Sequence, residues 1–171
     1  MRKFLAAGLL SLLALAPFSA SADDKVTIMV GGIDKQIYLP AKLAENLGYF
    51  KAEGLDVEVL TEPAGVEAED EILSGAIQGV VGFYDHTIDL QAKGKFLESV
   101  VQMSQAPGEV ELVSKNSGIR TPADWKGKSL GVTGLGASTN FITEYVAIKN
   151  GLKLSDFTTL PVGSGTRSSR R

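Results

Sequence analysis

Two rhythms of apolar residues alternate along the chain, one of period two and one close to four. Residues 26–30 (Val-Thr-Ile-Met-Val) form a β-rich run closed by Gly31-Gly32, which predicts a strand. Leu39, Leu43, Leu47 and Phe50 follow at spacings of four, four and three, so they predict one stripe along a helix. Lys42, Glu45 and Asn46 fall on the other face, and Gly48 or Gly54 supplies the stop. Residues 55–59 then alternate apolar and acidic (Leu-Asp-Val-Glu-Val), the pattern of a half-buried strand. A polar helical stretch at 67–73 leads through Gly75 to a second apolar run at 80–83. Strand, helix, strand, helix, strand in that order predicts an α/β fold with a mainly parallel sheet, because parallel neighbours need a crossover between them.

The pattern continues past a break. A helix is expected at 87–93, and Ala106-Pro107-Gly108 is the clearest boundary signal in the body of the chain. Residues 110–115 read as a strand. Thr121-Pro122-Ala123-Asp124 offers a cap, a proline at the first helical position and an acid at the third, so a short helix starts there. A strand at 129–132 precedes Gly134-Leu135-Gly136-Ala137-Ser138-Thr139. Phe141, Ile142, Tyr145, Val146 and Ile148 then form the apolar face of a helix closed by Asn150-Gly151.

Composition narrows the setting. Arg2 and Lys3, a mostly apolar stretch at 4–16 and the small residues Ala20-Ser21-Ala22 are arranged as a secretory signal peptide, with cleavage expected after Ala22. The apolar stretch is too short to cross a bilayer. The whole chain carries 17 basic and 20 acidic side chains, and the expected signal peptide takes away Arg2 and Lys3 without any acid. An acidic body argues against binding a phosphate backbone, so no nucleic-acid role is expected. The chain holds no cysteine, which removes disulfides, thiol nucleophiles and zinc-thiolate sites.

Several segments, taken in order, resemble the periplasmic solute-binding proteins of ABC importers in the nitrate/sulfonate/taurine group, which also includes binders of thiamine-precursor pyrimidines. The carrying residues are Tyr38-Leu39-Pro40-Ala41 and the run Gly48-Tyr49-Phe50-Lys51-Ala52-Glu53-Gly54-Leu55-Asp56-Val57. Gly82-Phe83-Tyr84-Asp85-His86, the stretch 123–132 and the glycine-rich helix start at 134–139 support it. The resemblance implies two α/β lobes of the type II binding-protein kind, with a solute held in the cleft between them. On that template residues 1–22 are the signal peptide, 23–106 a first lobe lacking its C-terminal return, and 107–165 the start of an incomplete second lobe. Residues 166–171 read as a frame-shifted tail. A continuation of the kind the resemblance implies (Gly-Asn-Thr-Phe-Ile-Ala-Ala), written in GC-rich codons and shortened by one nucleotide, translates as the run from Gly165 to Arg171.

In parallel sheets ligands sit beyond the carboxyl ends of the strands, here the loops at 31–38, 62–65, 83–86 and 134–139. The candidate ligand-binding residues are therefore Asp34, Tyr38, Gly65, Tyr84, Asp85, His86, Ser138 and Thr139. The turn at 134–139 can hold an oxyanion through helix amides and the Ser138 and Thr139 hydroxyls, or it can be an ordinary turn capped by Ser138. If both Asp34 and Asp85 face the cleft, an organic solute bearing an amine as well as an acid group fits better than a bare anion. No serine elbow, spaced histidine pair or phosphate loop accompanies His86, so no catalysis, metal or cofactor is expected. The expected partners are a small solute and an ABC permease, and the expected state is a monomer in the periplasm. Two other readings stand beside this one: an enzyme like the thiamine-pyrimidine synthases, although their iron-linked cysteine motif is missing, and a truncated fragment that binds nothing.

Overall fold

The computed structural model describes residues 24–164. The expected signal peptide and the 166–171 tail lie outside the described residues. Strand β1 (Asp24–Gly31) is the centre of a three-stranded sheet, flanked by β2 (Leu55–Glu62) and β3 (Gly79–Val81). Both pairings are parallel, with Ile28 beside Val59 on one side and Gly79 on the other. Consecutive side chains of β1 point to opposite faces, and each face has its own core. Met29 packs with Ala68 and Ile77 under helix α3 (Gly65–Ser74). Val30 packs with Tyr38 and Val59 on the other side.

Between β1 and β2 the chain makes a short 3-10 turn (Gln36–Tyr38), helix α1 (Leu39–Asn46) and helix α2 (Tyr49–Ala52). The single stripe expected there is broken. Gly48 adopts φ 76°, a left-handed conformation that glycine reaches without strain, and it separates α1 from α2. Leu39, Leu43 and Leu47 are exposed, and the buried residue of α1 is Ala41. Glu45, expected on the outer face, instead accepts the Val59 amide at 2.9 Å. β2 is an edge strand with a row of free amides, and a carboxylate that satisfies one of them orients α1 more strongly than its leucines do. Burial pushes the Glu45 carboxyl up, but hydrogen bonds from Lys42 and the Val59 amide outweigh it and hold the group below its ordinary range.

Helix α4 (Asp85–Ala92) follows β3. Residues 95–121 contain neither helix nor strand, so the strand expected at 110–115 is not formed. Its apolar residues Val110 and Leu112 are exposed, and among the described residues no strand pairs with them. Beyond it, Thr121 and Asp124 form the expected capping box, which starts a 3-10 turn (Pro122–Trp125). Strand β4 (Ser129–Val132), helix α5 (Ser138–Lys149), a 3-10 turn (Leu154–Asp156) and strand β5 (Thr158–Pro161) complete the described chain. β4 and β5 pair in parallel, and α5 covers them through a core of Trp125, Leu130, Ala147 and Phe157. The fold class is α/β with two parallel sheets. Among the described residues no helix is long and apolar enough to cross a membrane.

Candidate functional site

The carboxyl ends of β1 and β4 meet over the start of α3. A methyl group added to Gly31 would lie 2.3 Å from the Gly65 amide nitrogen, so glycine is required where strand and helix backbones touch. Gly134, in the loop after β4, comes to the same place: its added methyl would lie 3.1 Å from Ala64 Cβ. Two polar contacts tie the sheets together. Ser138 Oγ donates to Asp85 Oδ1 at 2.8 Å, joining the start of α5 to the start of α4. Ser164 Oγ donates to the Pro63 carbonyl at 2.6 Å.

Between these contacts lies an inner cavity of about 10 Å³, the space of roughly one water. Tyr38, Gly65, Phe83, His86, Ser138 and Thr139 line it, together with Lys35, Glu109, Thr133 and Ala137. A second recess, of about 250 Å³, is bounded by Lys35, Gln36, Ile37, Gly108, Glu109, Val110 and Thr139. Lys35, Glu109 and Thr139 belong to both spaces.

Burial dominates the electrostatics. Tyr38 is buried, and desolvation, only partly offset by a backbone hydrogen bond at Gly31, pushes its hydroxyl up to about 12. It is therefore a neutral hydroxyl at physiological pH. Desolvation also lowers the Lys35 ammonium, against the opposing pull of Glu109, and its Nζ stands 5.9 Å from the centre of the Tyr38 ring. The Glu109 carboxyl is raised, first by desolvation, with Asp85 and Glu111 adding repulsion and Lys35 and His86 acting the other way. One Glu109 oxygen, Oε2, is buried with no hydrogen-bond partner. His86 and Glu69 are both buried, with Nδ1 and Oε2 2.5 Å apart. Gly65 leaves room for that imidazole, since an added methyl would lie 3.0 Å from Nε2.

Of the residues singled out in the sequence, Tyr38, Gly65, His86, Ser138 and Thr139 come together around the inner cavity. Asp85 stands one hydrogen bond away, through Ser138, and accepts the His86 amide at 2.8 Å. Asp34 and Tyr84 are exposed and line neither space. The two hydroxyls considered for an oxyanion are engaged within the protein. Ser138 donates to Asp85, and Thr139 Oγ1 accepts the Thr133 amide and meets the Thr133 hydroxyl, both at 2.9 Å. Ser138 is not the cap of α5: that position belongs to Ala137, and no side chain caps the helix. The Asn140 and Phe141 amides already donate to the Ala137 carbonyl, so the Ser138 and Thr139 amides are the groups left to meet an anion.

Lys35, Thr133 and Glu109 escaped the sequence reading. Lys35 adjoins Asp34 in a loop already marked, and Thr133 precedes the glycine-rich turn. Glu109 gave no local signal, because it follows a Pro-Gly step that reads as a boundary. The arrangement does not assemble a nucleophile relay. A serine activated by histidine needs the imidazole on its hydroxyl, whereas Ser138 points to a carboxylate and His86 is turned to Glu69. Among the described residues no group of three or more His, Asp or Glu side chains is placed to hold a metal ion.

A 4-amino-5-hydroxymethyl-2-methylpyrimidine phosphate synthase of Saccharomyces cerevisiae is 30% identical over 112 residues, 65% of this chain and 33% of that protein. The synthase of the same name from Schizosaccharomyces pombe is 29% identical over 142 residues, 82% of this chain and 40% of its own. The chain thus spans between a third and two fifths of the curated relatives it matches. A solved protein from Bordetella bronchiseptica RB50 superposes with a TM-score of 0.77 at 41% identity, over 84% of this chain and 46% of that one. The alkanesulfonate-binding protein SsuA from Xanthomonas axonopodis pv. citri, bound to MOPS, shares the fold with a TM-score of 0.60 at 24% identity, over 84% and 49% of the two chains. The model of the family described as NMT1/THI5 like matches residues 38–169, a span that contains all but one of the candidate ligand-binding residues. This chain belongs to the NMT1/THI5-like family.

Proposed function

We propose that the chain is part of a solute-binding component of an ABC importer, which captures a small organic solute in the periplasm as a monomer and hands it to a permease without altering it. The observation that carries this reading is the cavity between two parallel sheets, walled by loops from the carboxyl ends of their strands and joined across by Asp85 and Ser138. Such a placement is where parallel α/β proteins hold ligands. The fold shared with an alkanesulfonate-binding protein supports it. The proposed contacts are Tyr38, Gly65, His86, Ser138 and Thr139 from the cavity wall and Asp85 behind Ser138, with Asp34 and Tyr84 at its exposed approach. The proposed division into lobes, 23–106 and 107–165, places the cavity at their junction. At about 10 Å³ the inner space is far below the roughly 300 Å³ of small-ligand sites, so a solute enters only when the two halves part.

A second reading is favoured by the curated relatives, which are named as pyrimidine phosphate synthases. One experiment separates the two. Purified protein is titrated calorimetrically with taurine, ethanesulfonate, nitrate and 4-amino-5-hydroxymethyl-2-methylpyrimidine, and each mixture is then examined by mass spectrometry. Saturable binding with every compound recovered intact is expected. A new product formed in proportion to protein would favour the synthase reading, and no binding of any compound would overturn the proposal.

A further inference from the structure

Among the described residues one carboxylic side chain and one imidazole are fully buried, and they face each other. Glu69 comes from the middle of α3 and His86 from the first turn of α4, with Oε2 and Nδ1 2.5 Å apart. Buried polar groups need partners, and each of these has the other. The imidazole is held from several sides. A methyl added to Gly65 would stand 3.0 Å from Nε2, and one added to Gly82 would stand 3.8 Å from Cδ2, so two glycines leave room for the ring. From α5 the Phe141 ring meets it edge-on, with 6.3 Å between centroids.

These contacts decide which nitrogen faces which way. Nδ1 is buried, and Glu69 Oε2 lies close to it but off the axis of an ideal hydrogen bond. Nε2 lies on the side of Gly65, and Gly65 and His86 both line the inner cavity. Bare lone pairs at 2.5 Å would repel, so a proton belongs between Nδ1 and the carboxylate. We propose that Glu69 is a positioning residue for His86: it keeps the ring proton on Nδ1, so that Nε2 accepts a hydrogen bond from whatever occupies the cavity and gains a proton as pH falls. A carboxylate that fixes the tautomer of an imidazole in this way sets what the opposite nitrogen can do. The inference deepens the solute-binding reading and rests on it only for the occupant. The charged groups around the ring are Glu69 from α3, Asp85 at the His86 amide, and Glu109 and Lys35 from the cavity wall, while α5 presents the Phe141 edge.

His86 is the only histidine in the chain, so nuclear magnetic resonance of untagged full chain labelled in the histidine ring nitrogens reads this side chain alone. At the alkaline end of its titration Nδ1 is expected to carry the proton and Nε2 to be bare, the reverse of free histidine in water. On acidification Nε2 should shift far more than Nδ1. Glu69→Gln keeps an acceptor oxygen and should keep the tautomer, whereas Glu69→Leu removes the acceptor and should lose it; thermal melting verifies that each variant folds. A proton on Nε2 in the unaltered protein would overturn the assignment, since it would mean that the carboxyl donates to a bare Nδ1. A tautomer unchanged in a folded Glu69→Leu would overturn it as well. Should Glu69→Leu not fold, the unaltered protein and Glu69→Gln decide alone. When a compound from the calorimetric panel binds, Nε2 should shift more than Nδ1, and the opposite order would remove Nε2 from the cavity. The tautomer is read without solute, so this inference and the solute-binding reading fail by separate observations.

Discussion

At the scale of single residues, Glu109 also couples the cavity to pH. Its folded-state carboxyl titrates above the ordinary 4.5, so between 4.5 and the raised value the folded chain holds a proton that the unfolded chain has released. Stability therefore falls as pH rises through that window and stays lower above it. Glu109→Gln cannot titrate and avoids the cost. Its melting temperature should exceed that of the unaltered protein at pH 7, and the gap should close as pH falls toward 4. Melting curves across that range test the sign, and a gap independent of pH would show that the effect is not ionic. Tyr38 and His86 were legible in the sequence because each lies in the first helical turn that follows a strand. Glu109 was not, because nothing local marks a residue whose importance comes from Lys35 across the cavity.

At the scale of elements, spacing located β1, β2, α3, α4, β4 and α5, but it misjudged the face of α5, where Tyr145 and Ile148 are exposed and the buried positions are Ser138, Asn140, Thr143 and Ala147. It misjudged which side of α1 is buried, because the deciding contact is Glu45 on the open edge of β2 rather than any leucine. It missed β5, whose four residues are mostly exposed and owe their conformation to pairing with β4. The junction of β1 with α3 is the firmest element-level constraint. Gly31→Ala would drive a methyl into the Gly65 backbone, which cannot rotate away as a side chain can, so it should cost about 1–3 kcal/mol or more. Gly79→Ala on the neighbouring strand is the control. Its methyl would meet Ile28 at an ordinary 3.6 Å, and restricting the unfolded chain should make it neutral or stabilising by about 0.5 kcal/mol. Urea unfolding midpoints of the two variants should diverge accordingly, and similar midpoints would mean that the junction can open.

At the scale of the whole molecule, the two parallel sheets carry cores of their own, and they are joined by Ser138 to Asp85, Ser164 to Pro63, the edge of the Phe141 ring against His86, and the Gly134 turn in close approach to Ala64 and Val66. The linking stretch at 95–121 has a different character. Phe96, Val100, Val101, Val110 and Leu112 are each more than 70% exposed, so burying them contributes almost nothing to this fold. A run of large apolar side chains in water is a surface for association, and its cost is paid in solubility rather than in stability. The described chain should therefore bind the dye ANS under native conditions and sediment as larger species as concentration rises. Replacing Val100, Val110 and Leu112 together by Thr, Thr and Gln should reduce both signals. Each exposed substitution should move stability by no more than about 0.5 kcal/mol, leaving the thermal transition close to that of the unaltered protein. A marked fall in melting temperature would show instead that these residues are packed in solution, and that the stretch is part of the core rather than a strap across its surface.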